Sequence, residues 1–431
     1  MKEAKSMNKV LVVGKGGREH ALAWKLAQSP QVKEVYVAPG NIGMSDVATL
    51  VDINENDFPG LANFAKSNDI ALTVIGPDQQ VADGIVDYFQ DKGITVWGPT
   101  ASAARIESSK AFAKDFFNRY DIPTAKHKTF SVYEEAAAYV ENKNMPIVIK
   151  ADGLAAGKGV VIPNTVQEAK NVLEEMMKNN KFGDAGNAVV IEDFLEGEEF
   201  SFMAFVSGNK VYPMEIARDH KRAYDGDKGE NTGGMGAFSP VPFIRDITIN
   251  EAIENVLQKT ANAMVEEGCP FTGFLFGGLI ATKDGVKVIE FNARFGDPEA
   301  EILLPRLEGD LYDILQKLLN GKEPTFNWTK DVAVGVILAS EGYPEKPITG
   351  HKITGLDKLE PKTLVFHCGT AIENGDYVTN GGRVLMLVRM EKDFETAKSD
   401  VYKEVAKINC SHMFYRKDIG KYITSKIISP L

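Results

Sequence analysis

The sequence predicts an α/β protein with an open, mostly parallel sheet at its N-terminus, a central α+β region and a small C-terminal α+β cap. Strand and helix patterns alternate over residues 9–97, which is typical of a parallel sheet covered by helices. Strand patterns joined by glycine-rich segments dominate residues 146–291. Residues 331–431 combine short strand patterns with one helix pattern, over 394–408.

Length and composition limit the possible classes of protein. The chain has 431 residues, enough for about two to four domains. It is 44% hydrophobic and 25% charged with a formal charge of -11, which indicates a globular protein and excludes non-specific binding to nucleic acid. Cys269, Cys368 and Cys410 have no CxxC spacing, so we expect neither a disulfide framework nor a zinc site. This cysteine usage fits a reducing cytoplasm best. The start lacks the apolar region of a signal peptide and no run of 18 or more apolar residues occurs, so we expect no membrane segment.

The N-terminal region begins with a strand over residues 9–13, a glycine turn (GKGGR, 14–18) and a helix over 19–28. Backbone N–H groups at such a turn favour an anion, although the turn is not a GxGxxG dinucleotide motif. A second strand ends at the glycine turn 39–41. Both turns fall at the carboxyl ends of strands, where open parallel sheets bind ligands. The alternative is that these glycines only make tight turns. The remaining predicted elements are helices over 61–67 and 81–90 and strands over 71–76 and 94–97.

The central region contains a glycine-rich segment between two strands. A helix over 102–120 contains Lys110, and we place the first domain boundary near it. The strand 146–150, the segment ADGLAAGKG (151–159) and the β-branched strand 160–163 follow. Neither the glycine spacing nor Gly159 fits a P-loop, so we expect a hairpin whose loop folds over phosphates. The alternative is an ordinary flexible hairpin.

Two later segments are candidates for binding. Helix 166–179 and strand 188–191 lead to the connector 192–199, against which an adenine could lie, and to strand 200–206. Residues 218–238 form a polar, glycine-rich stretch that is too long for a plain turn, which favours a functional loop.

The stretch VIEFNARFGDPEAE (288–301) is the most informative one. A helix over 250–268 precedes strands over 274–281 and 286–291, joined by an Asp-Gly turn signal. Strand alternation places Glu290, Asn292 and Arg294 on one face, with Ile289 and Phe291 on the other. Carboxylate and amide oxygens suit Mg²⁺, and a guanidinium suits phosphate. The alternative is a half-exposed strand with an ordinary Glu–Arg pair. Further predicted elements are a helix over 310–320 and strands over 332–339, 364–368 and 384–388.

Seven stretches carry a resemblance to a known family: GGREHA (16–21), APGN (38–41), KADGLAAGKGVV (150–161), DHKRAYDGD (219–227), NTGGMGAFSP (231–240), EFNARFGDPE (290–299) and TNGGRVL (379–385). In this order they resemble the glycinamide ribonucleotide synthetases of the ATP-grasp superfamily, over nearly the whole chain from Met7. The sequence departs from that family's pattern at Lys15, at residues 78–80 and at Glu230.

The resemblance implies three domains and a reaction. The domains would be an N-terminal pre-ATP-grasp domain (7–108), an ATP-grasp domain (109–328) with a mobile lid at about 124–196, and a C-terminal α+β domain (329–431). The implied reaction joins glycine to 5-phosphoribosylamine with ATP through a glycyl phosphate, giving glycinamide ribonucleotide in de novo purine (IMP) biosynthesis. The implied partners are small molecules only, and the protein would be a monomer or weak dimer.

On the same basis, residues can be given roles. Glu290 and Asn292 would hold Mg²⁺ or Mn²⁺, and Arg294 and Lys150 would be catalytic. ATP would be bound by Lys110, Lys150, Gly157, Lys158, Glu192, Phe194, Leu195 and Glu199. The other substrates would be bound by Gly16, Gly17, Arg18, Asn41, Asp219, Lys221, Gly233, Gly234, Arg294, Gly296 and Asp297.

Two rival functions remain at this stage. An ATP-grasp carboxylase would use bicarbonate with the same nucleotide machinery, and ADP release that requires bicarbonate would identify it. A non-catalytic nucleotide-binding regulator would bind ATP without glycine-dependent hydrolysis.

Overall fold

The N-terminal sheet is parallel, as the alternation predicts. The computed structural model describes residues 7–155, 159–179, 181–421 and 423. Five strands pair in the order β3-β2-β1-β4-β5. The elements of this region are β1 (Asn8–Gly14), α1 (Gly17–Leu26), β2 (Val32–Pro39), β3 (Thr49–Leu50), α2 (Phe58–Ser67), β4 (Ile70–Ile75), α3 (Asp78–Ala82), α4 (Ile85–Asp91), β5 (Val96–Trp97) and α5 (Ala101–Ser108). The central strand β1 is fully buried from Val10 to Val13, as expected where helices cover both faces.

Two predicted helices are each divided in two. The helix expected over 81–90 is interrupted at Gly84, whose φ of 87° is left-handed and separates α3 from α4. The helix expected over 102–120 breaks at Ser109, which is extended (φ -136°, ψ 109°) and caps the next helix by accepting a hydrogen bond from the Phe112 N–H.

Residues 109–193 build a second, smaller sheet. The elements are α6 (Lys110–Arg119), β6 (His127–Phe130), α7 (Tyr133–Val140), β7 (Ile147–Ala151), β8 (Val160–Val161), α8 (Val166–Met177) and β9 (Val189–Asp193). Four antiparallel strands pair in the order β6-β9-β7-β8. The predicted hairpin is confirmed, because Lys150 on β7 pairs with Val160 on β8. Phe130, Leu173 and Ile191 belong to a hydrophobic cluster formed within this region alone.

A third sheet carries the hairpin that contains residues 288–292. The elements from β10 onward are β10 (Glu198–Ser207), β11 (Lys210–Pro213), β12 (Arg218–Asp219), β13 (Arg222–Tyr224), β14 (Lys228–Asn231), β15 (Gly236–Ser239), α9 (Asp246–Ala252), α10 (Lys259–Glu266), β16 (Thr272–Thr282) and β17 (Gly285–Asn292). Strands β11, β10, β16 and β17 pair in that order, all antiparallel. The stretch 218–238, predicted as a loop, contains β12 to β14 and most of β15 instead.

The C-terminal sheet joins strands from two distant parts of the chain. The remaining elements are α11 (Glu299–Arg306), β18 (Leu307–Glu308), α12 (Leu311–Leu319), β19 (Asn327–Trp328), β20 (Val332–Ser340), β21 (Leu364–His367), β22 (Thr370–Glu373), β23 (Asp376–Thr379), β24 (Arg383–Glu391), α13 (Phe394–Val405) and β25 (Met413–Phe414). The main path of the sheet runs β12-β15-β20-β24-β21, and β25 pairs with β20. Strands β12 and β15 belong to the polar stretch 218–238 and therefore connect it to this sheet. The stretch lies beside the third sheet (β11, β10, β16 and β17), which we call the central sheet.

Among the described residues, no helix is both long enough and apolar enough to cross a bilayer.

Candidate active site

A cleft of about 940 Å³ lies where the sheets meet. Most of the residues predicted from sequence to form the site line it: Arg18, Lys110, Lys150, Glu192, Phe194, Leu195, Glu199, Asp219, Lys221, Gly233, Glu290, Asn292, Arg294 and Asp297. Five others are not part of its lining: Gly16, Gly17, Asn41, Gly234 and Gly296. Gly157 and Lys158 lie outside the described residues.

A β-bulge in β17 sets the direction of its side chains. Gly278 pairs with Glu290 and Leu279 with Val288, so Ile289 is the extra residue. The prediction that Ile289 faces the core with Phe291 is wrong, because Ile289 is half-buried and lines the cleft. Alternation resumes after the bulge and places Glu290 and Asn292 on the same side.

Arg294 does not continue the strand, contrary to the predicted three-residue row. The strand ends at Asn292, and the next N–H, of Ala293, donates to Glu107 Oε2 at 2.6 Å. Arg294 Nη2 lies 3.3 Å from Asn292 Oδ1 and 3.6 Å from Glu107 Oε1. Its buried Nε has no hydrogen-bond partner within the described part of the chain. The guanidinium therefore reaches the cleft from a turn and retains an unused donor.

Glu107 is a residue of this site that the sequence analysis missed. It lies near the end of α5, is 8% exposed and lines the cleft. Burial raises the pKa of its carboxyl to about 7, against the opposing effect of Arg294. No motif around it indicates a carboxylate in contact with β17, since the contact depends on how α5 packs.

Two buried lysines in the lining of the cleft share one carboxylate. Lys150 Nζ lies 2.8 Å from Glu192 Oε1, and Lys114 Nζ lies 2.9 Å from Glu192 Oε2. Lys150 Nζ also donates to the Ile289 carbonyl at 2.9 Å, which connects β7 to β17. Although burial opposes ionisation, Lys150 and Lys114 together lower the pKa of Glu192. Each carboxylate oxygen therefore lies within ion-pair distance of one lysine.

Positive charge surrounds Glu290. Lys221 Nζ lies 3.8 Å from Glu290 Oε1. Burial alone would raise the pKa of Glu290, but Lys221, Lys150 and Lys110 lower it. Lys110 Nζ also donates to the Gly153 carbonyl at 3.0 Å, at the start of the glycine-rich loop. The ionised carboxylate is suited to a divalent cation, and the lysines near it are suited to the phosphate groups that such a cation bridges.

Arg383 links the C-terminal sheet to the cleft and had been given no role from sequence. Its Nη2 lies 2.9 Å from Asp297 Oδ1, and its Nη1 donates to the Gly233 carbonyl at 2.8 Å. Although burial opposes ionisation, Arg383 and Arg18 lower the pKa of Asp297. Arg383 lies in the stretch TNGGRVL, which the sequence analysis identified. The sequence did not indicate that its guanidinium contacts Asp297 and Gly233 in the cleft.

Asp219 is half-buried with its Oδ1 enclosed, and desolvation together with the nearby Glu299 raises the pKa of its carboxyl. Its Oδ1 has no hydrogen-bond partner among the residues that the structure describes. It shares the lining of the cleft with Lys221 and Gly233. The segment predicted to orient a small substrate therefore does present polar groups to the cleft.

The first glycine turn packs closely against the C-terminal part of the chain. A Cβ at Gly17 would collide with the Glu301 carboxyl and lie 2.8 Å from Cys368 Sγ, so a larger residue here would have to displace these side chains. Asn41 Nδ2 donates to the carbonyls of Lys15, at 2.8 Å, and His367, at 2.9 Å. These contacts hold the turn in place. The role of Gly16, Gly17 and Asn41 in binding the sugar phosphate stays a prediction.

Comparison with known proteins agrees with this arrangement. Family models described as phosphoribosylglycinamide synthetase match in three parts: the N domain over residues 8–107, the ATP-grasp (A) domain over 108–300 and the C domain over 333–422. Phosphoribosylamine–glycine ligase of Halalkalibacterium halodurans is 53% identical over 421 residues, covering 97% of this chain and 98% of that protein. The enzyme of the same name from Streptococcus pneumoniae is 49% identical over 416 residues, covering 96% of this chain and 99% of that protein.

Solved structures show the same fold. The crystal structure of phosphoribosylamine–glycine ligase from Thermotoga maritima matches with a TM-score of 0.84 and 32% identity, over 95% of this chain and all (100%) of that one. A biotin carboxylase–ATP complex from Campylobacter jejuni matches with a TM-score of 0.71 at 15% identity, over 100% of this chain and 97% of that one, which shows a shared fold alone. Because the three family models match most of the chain and the relatives share about half of its residues, the chain belongs to the phosphoribosylglycinamide synthetase family.

Proposed function

We propose that this protein is a cytoplasmic enzyme of de novo purine biosynthesis that joins glycine to 5-phosphoribosylamine, using ATP and releasing ADP and phosphate. The names of the relatives above support this reaction. The observation that carries it is a single cleft in which Lys110, Lys150 and Lys221 surround Glu290. That combination suits an ATP phosphate chain.

The chemistry explains why ATP is needed. A carboxylate does not react with an amine at neutral pH because oxide is a very poor leaving group. Transfer of the γ-phosphoryl group to the glycine carboxylate gives glycyl phosphate, from which phosphate leaves when the amine attacks. Such a transfer depends on positioning and charge neutralisation, so the protein must hold both reactants in line and exclude water.

Glu290 and Asn292 fit a divalent cation, Mg²⁺ or Mn²⁺. They present one ionised carboxylate and one amide oxygen to the cleft from neighbouring positions of one strand face. Within the described ranges, no cluster of three or more His, Cys, Asp or Glu side chains is arranged to hold a metal. Phosphate oxygens would therefore complete the coordination, as is usual for Mg²⁺. When bound, the cation supplies charge neutralisation and a template for the phosphates.

ATP contacts follow from the elements around β7 and β9. Lys110 and Lys150 are positioned to neutralise phosphates, and the loop that contains Gly157 and Lys158 would cover them. The adenine would lie against the connector at Phe194 and Leu195. Its edge would bond to backbone groups near Glu192, and Glu199 would accept from the ribose. The side chains of Phe194, Leu195 and Glu199 all face the same cleft, which supports this placement.

The other substrates would bind on the opposite side of Glu290. Arg294 would stabilise the transferring phosphoryl group and then the acyl phosphate, using its Nε, which has no hydrogen-bond partner among the described residues. Glycine would bind near Asp219, Lys221, Gly233 and Gly234. The sugar phosphate would bind at the first glycine turn, through Gly16, Gly17, Arg18 and Asn41, with Gly296 and Asp297 between the two sites.

The direct test is ADP release with glycine and freshly made phosphoribosylamine, each omitted in turn. We expect ADP release only when both are present. Release that requires bicarbonate and ignores glycine would identify a carboxylase instead. Tight ATP binding without glycine-dependent hydrolysis would identify a nucleotide-binding regulator.

A further inference from the structure

A short segment near the C-terminus holds the hairpin β13–β14 at the edge of the cleft. We name this segment, Arg416 to Asp418, the C-terminal clasp. Arg416 is 1% exposed and makes a two-pronged contact with Asp418, at 2.8 Å from Nε and 2.8 Å from Nη2. Its third nitrogen, Nη1, reaches the hairpin, 2.9 Å from Asp227 Oδ1 and 3.1 Å from the Arg222 carbonyl. One guanidinium thus bonds to the first residue of β13 and to the turn that precedes β14.

Two further bonds close the clasp on the hairpin turn. Asp418 Oδ2 accepts from the Gly226 N–H at 2.8 Å. The Lys417 N–H donates to Asp225 Oδ1 at 2.7 Å. The turn is therefore held by side chains and backbone of the clasp together.

The clasp itself is fixed to the C-terminal sheet layer. Tyr402, on α13, donates its hydroxyl hydrogen to the Arg416 carbonyl at 2.8 Å. The same hydroxyl oxygen accepts from the Ile419 N–H at 3.0 Å. Because α13 belongs to the C-terminal part of the fold, the hairpin is tied to a rigid element far from it in sequence.

Besides the clasp, the hairpin is held by the fully buried Ala223 and by the ring of Tyr224, whose centroid lies 5.6 Å from that of Phe414. A two-stranded hairpin is marginally stable at best alone, and Tyr224 to Lys228 are all exposed. Burial of Asp418 would raise the pKa of its carboxyl, yet hydrogen bonds from Arg416 and Gly226 hold that pKa at about 2. A buried ion pair whose donors and acceptors are satisfied fixes geometry even where its net contribution to stability is small.

The strand held by the clasp begins directly after Lys221. The Thr232 N–H and Oγ1 both bond to the Lys221 carbonyl, at 2.7 and 2.8 Å. Arg416 holds the next carbonyl, of Arg222, at 3.1 Å. The backbone on the C-terminal side of Lys221 is thereby fixed, while its Nζ lies 3.8 Å from Glu290 Oε1. Arg416 and Asp418 also line the cleft.

We propose that Arg416 is a positioning residue for the ligation reaction, which holds the hairpin β13–β14 so that Lys221 stays beside Glu290. The kinetic part of this inference rests on the proposed function. The structural part, that the clasp orders the hairpin, is measured separately and does not depend on it.

Arg416→Met is the main variant, and Arg389→Met is its matched control. Arg389 is another buried arginine of the C-terminal part, 4% exposed at its side chain and paired with Glu360, Glu391 and Asp400. It does not line the cleft. Both variants remove a buried guanidinium from several carboxylates, so they should lose comparable thermal stability.

Two measurements separate a positioning role from a structural one. Amide hydrogen exchange over residues 222–231 should become at least about 10-fold faster in Arg416→Met and stay unchanged in Arg389→Met. The kcat/KM for glycine should fall about 10–100-fold in Arg416→Met, because a displaced group near the reaction centre misaligns the reactants. Arg416→Lys, which keeps the charge but loses the fork, should recover part of this loss.

Asp227→Asn keeps the test decisive if Arg416→Met does not fold. The Asp227 side chain is 68% exposed. The Asp227 backbone has a φ of 53°, in the left-handed region that asparagine also adopts, so the substitution should not strain the turn. We expect faster exchange in the hairpin and an intermediate loss of kcat/KM. The proposal would be overturned if hydrogen exchange in the hairpin and kcat/KM were the same in Arg416→Met as in the Arg389→Met control. It would also be overturned if Asp227→Asn kept the wild-type values of both. A wild-type enzyme without glycine-dependent turnover would instead refute the proposed function, and hairpin exchange would still decide the role of the clasp.

Discussion

Among the residues of the site, Arg294 has the most demanding of the proposed roles. Its Nη2 contacts Asn292 and Glu107, and its Nε remains without a partner in the described part of the chain. By analogy with the loss of an oxyanion-hole donor, Arg294→Ala should lower kcat by roughly 10²–10³-fold. Steady-state kinetics measures this, with Arg105→Ala as the control, since Arg105 is exposed on α5 and does not line the cleft. Unchanged turnover in Arg294→Ala would remove this residue from the catalytic group.

Glu107 should make the stability of the protein depend on pH. Burial raises the pKa of its carboxyl from 4.5 to about 7. Between these values the folded state keeps the proton and the unfolded state releases it, so the free energy of unfolding falls as pH rises from about 4.5 to about 7. Glu107→Gln lacks this titration and should show a shallower fall over the same window. Chemical denaturation at several pH values measures both slopes, and parallel curves would contradict the assignment.

Single residues also show how far the sequence could predict the site. Glu290, Asn292 and Lys150 were identified because their motifs place the chemistry within a few positions of one strand or loop. Glu107 and Arg383 were not, because each reaches the cleft from an element whose packing the sequence does not specify. The face of Ile289 was predicted wrongly for a related reason. A bulge depends on the partner strand, which one strand's pattern does not reveal.

At the scale of elements, the buried lysine pair on Glu192 should stabilise the small sheet. Lys114 on α6 contacts Glu192 on β9, with side-chain exposures of 3% and 4%. The next residue of β9 provides a matched control, since Lys143 and Asp193 form a pair that is 23% and 40% exposed. Lys114→Met should lower the free energy of unfolding by about 3 kcal/mol, because removing one partner leaves buried charge poorly compensated. Lys143→Met should cost about 1 kcal/mol or less.

Denaturation of both variants in urea measures the difference. Equal losses would contradict the view that burial makes the Lys114 pair important. In that case Lys150, which also contacts Glu192, would be sufficient to neutralise it.

Elements differ in how well the sequence predicted them. The parallel strands of the N-terminal sheet were expected because continuous β-branched runs alternate with helix patterns. Two predicted helices are broken, at Gly84 and Ser109, since local backbone conformation and capping outweigh helical periodicity there. Strand β6 was missed because the short segment HKTF is polar and its pairing with β9 is a tertiary contact. Helix α7 was also missed.

At the scale of the whole molecule, the fold brings distant parts of the chain to one cleft. Arg18 comes from the N-terminal region, Lys150 from the small sheet, Glu290 from the central sheet and Arg383 from the C-terminal sheet. The sequence predicted a C-terminal cap made of local strands. Instead β15 pairs with β20, so the sheet is completed by the polar stretch beside the active site. Non-local pairing of this kind is invisible to local periodicity.

The most direct test of the account follows the carboxylate oxygen of glycine. Glycine labelled with ¹⁸O in its carboxylate is converted with ATP and phosphoribosylamine, and the released phosphate is analysed by mass spectrometry. If the carboxylate attacks the γ-phosphoryl group to form glycyl phosphate, one ¹⁸O atom is transferred to phosphate for each ADP formed. Formation of glycinamide ribonucleotide with unlabelled phosphate would contradict the central claim.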